Sequence, residues 1–181
     1  MRKPSEAGFT LIELLVVVTV IGIIAAIAIP GLLRARMAGN EASAIASLRV
    51  INSSQHAYMS SCGNGFYASS LTILADPAPV GAGFISPDLG ASDVIDKSGY
   101  RLNMEEGSEA ITAPRDGCNP LGVMASLYSS YWASNEPIVG GQTGNRYFWT
   151  NATGALFTST TNVFAAVHIG NAGPGVGGPL Q

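Results

Sequence analysis

Few residues of this chain have the types and spacing that chemistry requires. The two histidines, His56 and His168, are far apart and have no neighbours at metal-ligand spacing. Asp88, Asp93 and Asp96 could bind calcium, but their spacing matches no standard calcium loop, and we interpret them as solvated acids. The chain has no glycine-rich phosphate loop followed by lysine and no haem-attachment motif. We therefore expect no catalytic activity and no metal or other cofactor.

One carboxylate is unusual because of its position. Glu13 lies near the start of an apolar run that covers residues 9–30. A lone charge in such a segment is costly in a bilayer, so its presence requires a reason. Residues 14–29 carry no charge, which is near the lower limit of length for spanning a membrane. Arg2 and Lys3 precede the run, which favours a cytoplasmic N-terminus.

The residues around Gly8 form a motif. A short basic leader ends at this glycine, and Phe9, an acid four residues later and the apolar run follow. Residues 8–13, Gly-Phe-Thr-Leu-Ile-Glu, resemble the type III prepilin signal of type IV pilins and of type II secretion pseudopilins. The resemblance is strong over residues 1 to about 60 and weak beyond them, where it concerns only the architecture. It implies that a prepilin peptidase cuts between Gly8 and Phe9, removes residues 1–8 and methylates the new amino terminus.

Two other interpretations of this segment stay open. An ordinary signal peptide would have a small-x-small cleavage site followed by a polar mature start, whereas Gly8 precedes the apolar run. A plain signal anchor would keep residues 1–8. Arg34 and Arg36 on the far side of the run weaken the charge asymmetry that sets orientation.

The resemblance also implies an assembly role for Glu13. Cleavage would expose a positive amine on Phe9, which a neighbouring subunit could offer to the Glu13 carboxylate, and this pair would set subunit register. In a low dielectric such a pair is favoured over two separated buried charges. The alternative is a protonated carboxylate, or one that reaches back to the membrane surface.

Gly22 and Pro30 mark the weakest part of the expected helix. Proline removes a backbone donor and glycine weakens a helix by about 1 kcal/mol. Residues 22–30 resemble the segment that loses helical order when type IVa pilins pack into a filament. The alternative is a simple proline kink near the membrane exit.

The pattern beyond Pro30 predicts a continuing amphipathic helix. Helical spacing places a set of mostly apolar residues on one face, namely Ile45, Leu48, Ile51, Tyr58 and Cys62. We expect the polar residues of this region to lie mostly off that face, namely Arg34, Arg36, Glu41, Arg49 and Gln55. The long helix would cover residues 9–61, with residues 9–30 as its hydrophobic segment, and Gly63-Asn64-Gly65 would end it.

Residues 62–181 are expected to form a globular α+β head. Residues 64–96 are rich in Gly, Pro, Ala and Ser and predict a long loop with a helical turn near residues 69–74. Strands are predicted at residues 99–104, 127–133, 146–150 and 156–158, with a hairpin turn at residues 151–154. The predicted fold is a long helix packed on an antiparallel sheet of three or four strands, like that of pilins. Residues 170–181 predict a flexible tail.

Cys62 and Cys118 are the only cysteines of the chain. An exported protein meets an oxidising compartment, so we expect them to form a disulfide, with two free thiols as the alternative. This spacing departs from the common pilin pattern, in which both cysteines bracket a C-terminal loop.

Composition and resemblance together predict a structural protein. The formal net charge of −3 argues against sequence-independent electrostatic binding of nucleic acid, and no direct nucleic-acid site is evident. The expected function is that of a type IV pilus subunit, a homopolymer used in motility, adhesion or DNA uptake. Its implied partners are the inner membrane, prepilin peptidase and the pilus assembly platform, and its final location is an extracellular filament. The alternatives are a type II secretion pseudopilin and a membrane-anchored periplasmic binding module.

Overall fold

The computed structural model describes residues 8–79, 81–107, 110–162 and 178–180. The described residues divide into two units, one that ends at Arg36 and one that begins at Met37. The elements, in chain order, are α1 (Leu11–Ser61), β1 (Tyr67–Ala68), α2 (Leu71–Ala75), β2 (Val94–Lys97), β3 (Tyr100–Glu106), a 3-10 turn (Met124–Ser126), β4 (Leu127–Tyr128), β5 (Tyr131–Pro137), β6 (Tyr147–Asn151), β7 (Leu156–Ser159) and β8 (Gly178–Pro179).

Helix α1 confirms the predicted long helix, and it continues through Pro30. It ends where glycine and asparagine permit a left-handed backbone, since Asn64 has φ of 52° and Gly65 has φ of 90°. The amides of Cys62 and Gly63 both donate to the carbonyl of Tyr58, which satisfies the last turn.

The sheet confirms the α+β class but is larger than expected. Its strand order among the described residues is β2-β3-β5-β6-β7-β8, and every neighbouring pair is antiparallel. A separate two-stranded sheet pairs β1 with β4. The predicted hairpin turn is present between β6 and β7, where Gly154 has φ of 80°.

The single strand predicted at residues 127–133 is wrong. The chain leaves β4 at Ser129 and enters β5 at Tyr131, so the two halves belong to different sheets. Ser129 pairs with Ile111, and the carbonyl of the buried Ser130 accepts the amide of Gly107. These contacts with a distant loop turn the chain between the two strands. The alternation of apolar residues carries no sign of such contacts, so it predicts one continuous strand.

The core of the second unit contains the predicted face of α1. Leu48, Ile51, Tyr58 and Cys62 are buried, and Ile45 is half-buried against them. Aromatic side chains of the sheet complete this core, and the largest fully buried ones are Tyr100, Tyr131, Phe148 and Trp149.

The expectation that Glu41 and Gln55 lie off the buried face is wrong. Glu41 is 9% exposed and Gln55 is fully buried. Both are tolerated because each has hydrogen-bond partners in the head, as buried polar groups require.

Part of the predicted tail is ordered. Gly178 and Pro179 pair with β7, and the amide of Leu180 donates to the carbonyl of Leu156. These backbone bonds hold residues 178–180 at the edge of the sheet. Residues 163–177 and 181 of the C-terminal region, and residues 1–7 of the predicted leader, lie outside the described residues.

Candidate functional site

The N-terminal end of α1 is closed by a reciprocal pair of side chains. The Thr10 hydroxyl donates to Glu13 Oε2 at 2.7 Å, and the Thr10 amide donates to the same oxygen at 3.2 Å. The Glu13 amide donates in turn to Thr10 Oγ1 at 3.3 Å. This is the capping-box arrangement, which satisfies free donors of the first helical turn and places negative charge at the positive end of the helix dipole. Sequence reasoning assigned Glu13 to assembly and missed Thr10, although the Thr-x-x-Glu spacing signals it.

Gly8 and Phe9 precede this cap in non-helical chain. Both residues are exposed, and the Phe9 side chain is 75% exposed. A Cβ atom on Gly8 would meet no atom within 4 Å, and its φ is not in the left-handed region. The fold therefore does not itself require glycine at this position.

The first 23 or so residues of α1 present an almost continuous apolar surface. The segment is long and apolar enough to cross a membrane by length and composition, with a mean hydropathy of 2.9 in its most apolar window. Its large side chains are exposed all round the helix, among them Leu11, Leu15, Val18, Ile21, Ile24, Ile27 and Leu32. A helix that is apolar on every side needs lipid or other helices around it.

Gly22 and Pro30 lie inside this segment, and the helix is unbroken at both. A Cβ atom on Gly22 would meet no atom within 4 Å. Packing within the subunit therefore does not explain the glycine, which lowers helix stability by about 1 kcal/mol relative to alanine. Both residues lower the stability of the same stretch of helix.

In the second unit, α1 is fixed to the head by an ion pair. Glu41 Oε2 accepts Arg146 Nε at 2.8 Å and Nη2 at 2.7 Å, and Glu41 Oε1 accepts the amide of Asn145 at 3.0 Å. The Asn40 side chain, one residue earlier, donates to the carbonyl of Thr143 at 2.9 Å. One carboxylate thus holds the loop before β6 with both of its oxygens.

Further along α1, buried amides contact the head. Asn52 donates to the carbonyl of Gly154 at 2.8 Å and accepts a short hydrogen bond from the Tyr131 hydroxyl. Gln55 donates to the carbonyl of Ala68 at 2.7 Å and accepts its amide at 3.0 Å. These contacts fix the register of the helix on the head, because a shift of one turn would leave each buried amide without its partner.

Cys62 and Cys118 form the expected disulfide, with a Cα–Cα distance of 4.8 Å. It joins the residue after α1 to the loop that precedes the 3-10 turn. Beside it, the Tyr58 hydroxyl donates to Asn119 Oδ1 at 2.8 Å, and Asn119 Nδ2 donates to the carbonyl of Ile73 at 2.6 Å. Burial, with the charge of nearby Asp76, raises the pKa of Tyr58 to about 12.

The acids considered as calcium ligands have other partners. Asp88 pairs with Lys97 at 2.6 Å, Asp96 pairs with Arg101 at 2.9 Å, and Asp93 accepts the Thr72 hydroxyl at 2.6 Å. Hydrogen bonding to the Lys97 ammonium lowers the pKa of Asp88 to about 2. Within the described residues no group of three metal-ligating side chains comes together.

A binding module would need a pocket with convergent polar groups. A hollow of about 410 Å³ lies beside α2, lined by Thr72, Ala75, Asp76, Pro87, Gly90, Ala91 and Leu121, and it is wide open to solvent. Its carboxylate, Asp76, already accepts the amide of Leu121 at 2.8 Å. His56, on α1, is exposed and contacts the ring edge of Tyr67, while His168 lies outside the described residues. These features do not form a ligand site.

Two comparisons with known proteins bear on the N-terminal region. The family described as the prokaryotic N-terminal methylation motif matches residues 3–29. The type IV major pilin protein PilA of Myxococcus xanthus is 40% identical over 58 residues, which are 32% of this chain and 26% of that protein. The match therefore covers about a quarter of the relative's length. No solved structure matches the chain significantly.

The matched motif contains Gly8, Phe9 and Glu13, the residues that the resemblance selected. The long helix on an antiparallel sheet is consistent with the pilin fold. The N-terminal region of the chain thus carries the methylation motif and is similar in sequence to that of a type IV major pilin.

Proposed function

We propose that this protein is a structural subunit of a type IV pilus, processed at Gly8 and polymerised through α1. The observation that carries the proposal is a helix surface that is apolar all round and exposed, with a single carboxylate, Glu13, held at its first turn. Such a surface suits two environments in succession. It is compatible with lipid before assembly and with neighbouring copies of the same helix afterwards.

The cap at Thr10 supports a two-state role for Glu13. In the separate subunit the Glu13 carboxylate accepts hydrogen bonds from the Thr10 amide and hydroxyl, so it has partners at the membrane edge. A carboxylate can accept about four hydrogen bonds, so Glu13 can keep Thr10 and still accept from another donor. After cleavage, the methylated amine of Phe9 on an adjacent subunit would be that donor. The added charge pair would set the register between subunits in the dry centre of a filament.

Gly22 and Pro30 would act later in the same process. We infer that the stretch between them loses helical order when the subunit enters the filament, since it is the stretch in which helix costs most to maintain. Unwound chain is longer per residue than helix and could extend under load. The unbroken helix described above would then be the form of the subunit before assembly.

The partners and location follow from this cycle. Residues 1–8 would be removed by prepilin peptidase at the inner membrane, and an assembly platform would move the subunit into an extracellular fibre. Motility, adhesion and DNA uptake are the uses to which such fibres are put. The pseudopilin alternative shares the signal and the helix, and the similarity to a major pilin favours the pilus subunit.

Mass spectrometry of fibres sheared from cells tests the proposal. A methylated chain beginning at Phe9 in the dominant fibre protein is the expected result. The same processed chain confined to the cell envelope would favour a pseudopilin or a minor subunit. A chain that keeps residues 1–8 would overturn the assignment of the cleavage site and of the family role.

A further inference from the structure

We propose that Arg34 and Arg36 bind the phosphate groups of anionic lipids at the outer surface of the membrane while the subunit waits for assembly. The inference rests on the proposed function, because it assumes that α1 is held in a bilayer. It assigns a partner to two charges that the polymerisation scheme leaves unused.

The first support is the length of the uncharged helix. Residues 14–33 carry no charge and are all part of α1. At 1.5 Å per residue this run extends about 30 Å, the thickness of the hydrocarbon core of a bilayer. With Glu13 at one surface, Arg34 therefore reaches the headgroups of the other, and Arg36 lies about 3 Å further along the helix axis.

The second support is the direction of the two side chains. Two residues along an α-helix are separated by roughly 200° of rotation, so Arg34 and Arg36 project from nearly opposite sides of α1. A single neighbouring protein surface would contact one of them. Headgroups surround a membrane-spanning helix and can contact both.

The third support is the lack of a protein partner. Both arginines are exposed, and among the described residues neither takes part in an ion pair. The next acid along the helix, Glu41, is already bound to Arg146. The guanidinium group is a planar set of donors that matches phosphate oxygens, so an anionic phosphate is the partner that best fits these two side chains.

Arg49 provides a matched control on the same helix. It is exposed and lies 13 residues after Arg36, in the second unit. It also lies outside the uncharged run that could span the bilayer, residues 14–33. An effect specific to the membrane surface should therefore depend on Arg34 and Arg36 and not on Arg49.

The test uses the mature chain in micelles of a neutral detergent and measures the anisotropy of dye-labelled phosphatidylglycerol, with dye-labelled phosphatidylcholine for comparison. The wild-type chain should prefer the anionic lipid. The R34Q/R36Q variant should lose that preference by roughly thirty-fold, or about five-fold for each charge. R49Q should bind like wild type, and added salt should weaken the preference only where the two arginines are present.

Two results would overturn the inference. The double variant could keep the lipid preference, or R49Q could lose it to the same extent. If the double variant keeps the preference and also forms few fibres in cells, the arginines are assigned instead to an acidic surface of a neighbouring copy. Failure of the proposed function is distinguishable, because it would appear in cells as a chain that keeps residues 1–8 or is missing from sheared fibres, whereas the lipid preference is measured separately in micelles.

Discussion

The Tyr58 hydroxyl and the Asn119 side chain are joined by a 2.8 Å hydrogen bond in the interior of the head, beside the disulfide. Asn119 also binds the carbonyls of Ile73 and Asp76, so this contact connects the end of α1 to α2 and to the loop after Cys118. The packing is tight. A Cβ atom on Gly122 would lie 2.3 Å from the Tyr58 oxygen.

Tyr58→Phe should destabilise the mature protein by about 1–2 kcal/mol, because Asn119 Oδ1 stays buried without its donor. Denaturant unfolding followed by circular dichroism measures the change. Tyr128→Phe, at a half-buried tyrosine on β4, is the control for loss of a phenol hydroxyl. Equal stabilities of Tyr58→Phe and wild type would show that water or another donor replaces the bond.

Replacement of both cysteines, Cys62→Ser with Cys118→Ser, should lower the free energy of unfolding by about 4 kcal/mol in the chain-entropy estimate. The disulfide closes a loop with a sequence separation of 56, and its loss lets the unfolded chain expand. Unfolding of the variant and of wild type with and without reductant measures the effect. An unreduced wild type that reacts with a thiol label would contradict the disulfide itself.

Glu41→Gln should destabilise the head by about 1–3 kcal/mol, because the Arg146 guanidinium and the Asn145 amide lose a charged acceptor at a buried position. Asp96→Asn is the matched control, since it removes the carboxylate of an arginine pair whose two side chains are both about half exposed. That control should leave the unfolding midpoint unchanged. An equal loss of stability in both variants would mean that the burial of Glu41 does not strengthen its ion pair.

Stability should fall between pH 10 and pH 12. Burial raises the pKa of Tyr58 from 10.0 to about 12 and also raises that of Tyr100 and Tyr131. Below pH 10 these tyrosines are neutral in both folded and unfolded chains, so their full contribution is present. Above pH 10 the unfolded chain ionises first and is stabilised. Phenolate absorbance measures the ionisation of the tyrosines, and the buried ones should ionise only as the protein unfolds. Reversible ionisation of all the tyrosines near pH 10 in the folded protein would contradict this prediction.

Much of this structure follows from local patterns. The bounds of α1, the turn at Asn64 and Gly65 and the hairpin at Gly154 depend on residues close in sequence, and each was predicted. The methylation motif that contains Gly8, Phe9 and Glu13 is also local, so it is visible in the sequence alone. Thr10 was missed, although its spacing to Glu13 carries the signal of the cap.

Contacts between distant residues were the part that sequence did not predict. Strand β2 lies in a stretch that composition identifies as loop, and it forms because Val94 to Lys97 pairs with β3. The sequence around Glu41 predicts a surface residue, because Arg146, its partner in the fold, lies 105 positions away along the chain. The burial of Gln55 likewise depends on a hydrogen bond to the backbone of Ala68, which forms only after the chain has turned back.

The proposed function requires that the charge of Glu13 direct assembly, and Glu13→Gln tests this requirement most directly. Glutamine at this position can still accept the Thr10 donors, so the helix cap is kept and only the charge is lost. Thr10→Ala is the complementary variant, which removes the hydroxyl of the cap and keeps the charge. Gly8→Val, expected to block cleavage, is the processing control.

The measurement is the amount of sheared fibre per cell, together with the mass of the subunit that remains in the envelope. The account predicts that Glu13→Gln yields a normally processed subunit beginning at Phe9, held in the membrane, with fibre reduced at least ten-fold. Thr10→Ala should reduce fibre less. Wild-type amounts of fibre from Glu13→Gln would contradict the account, because subunit register would then not depend on that charge.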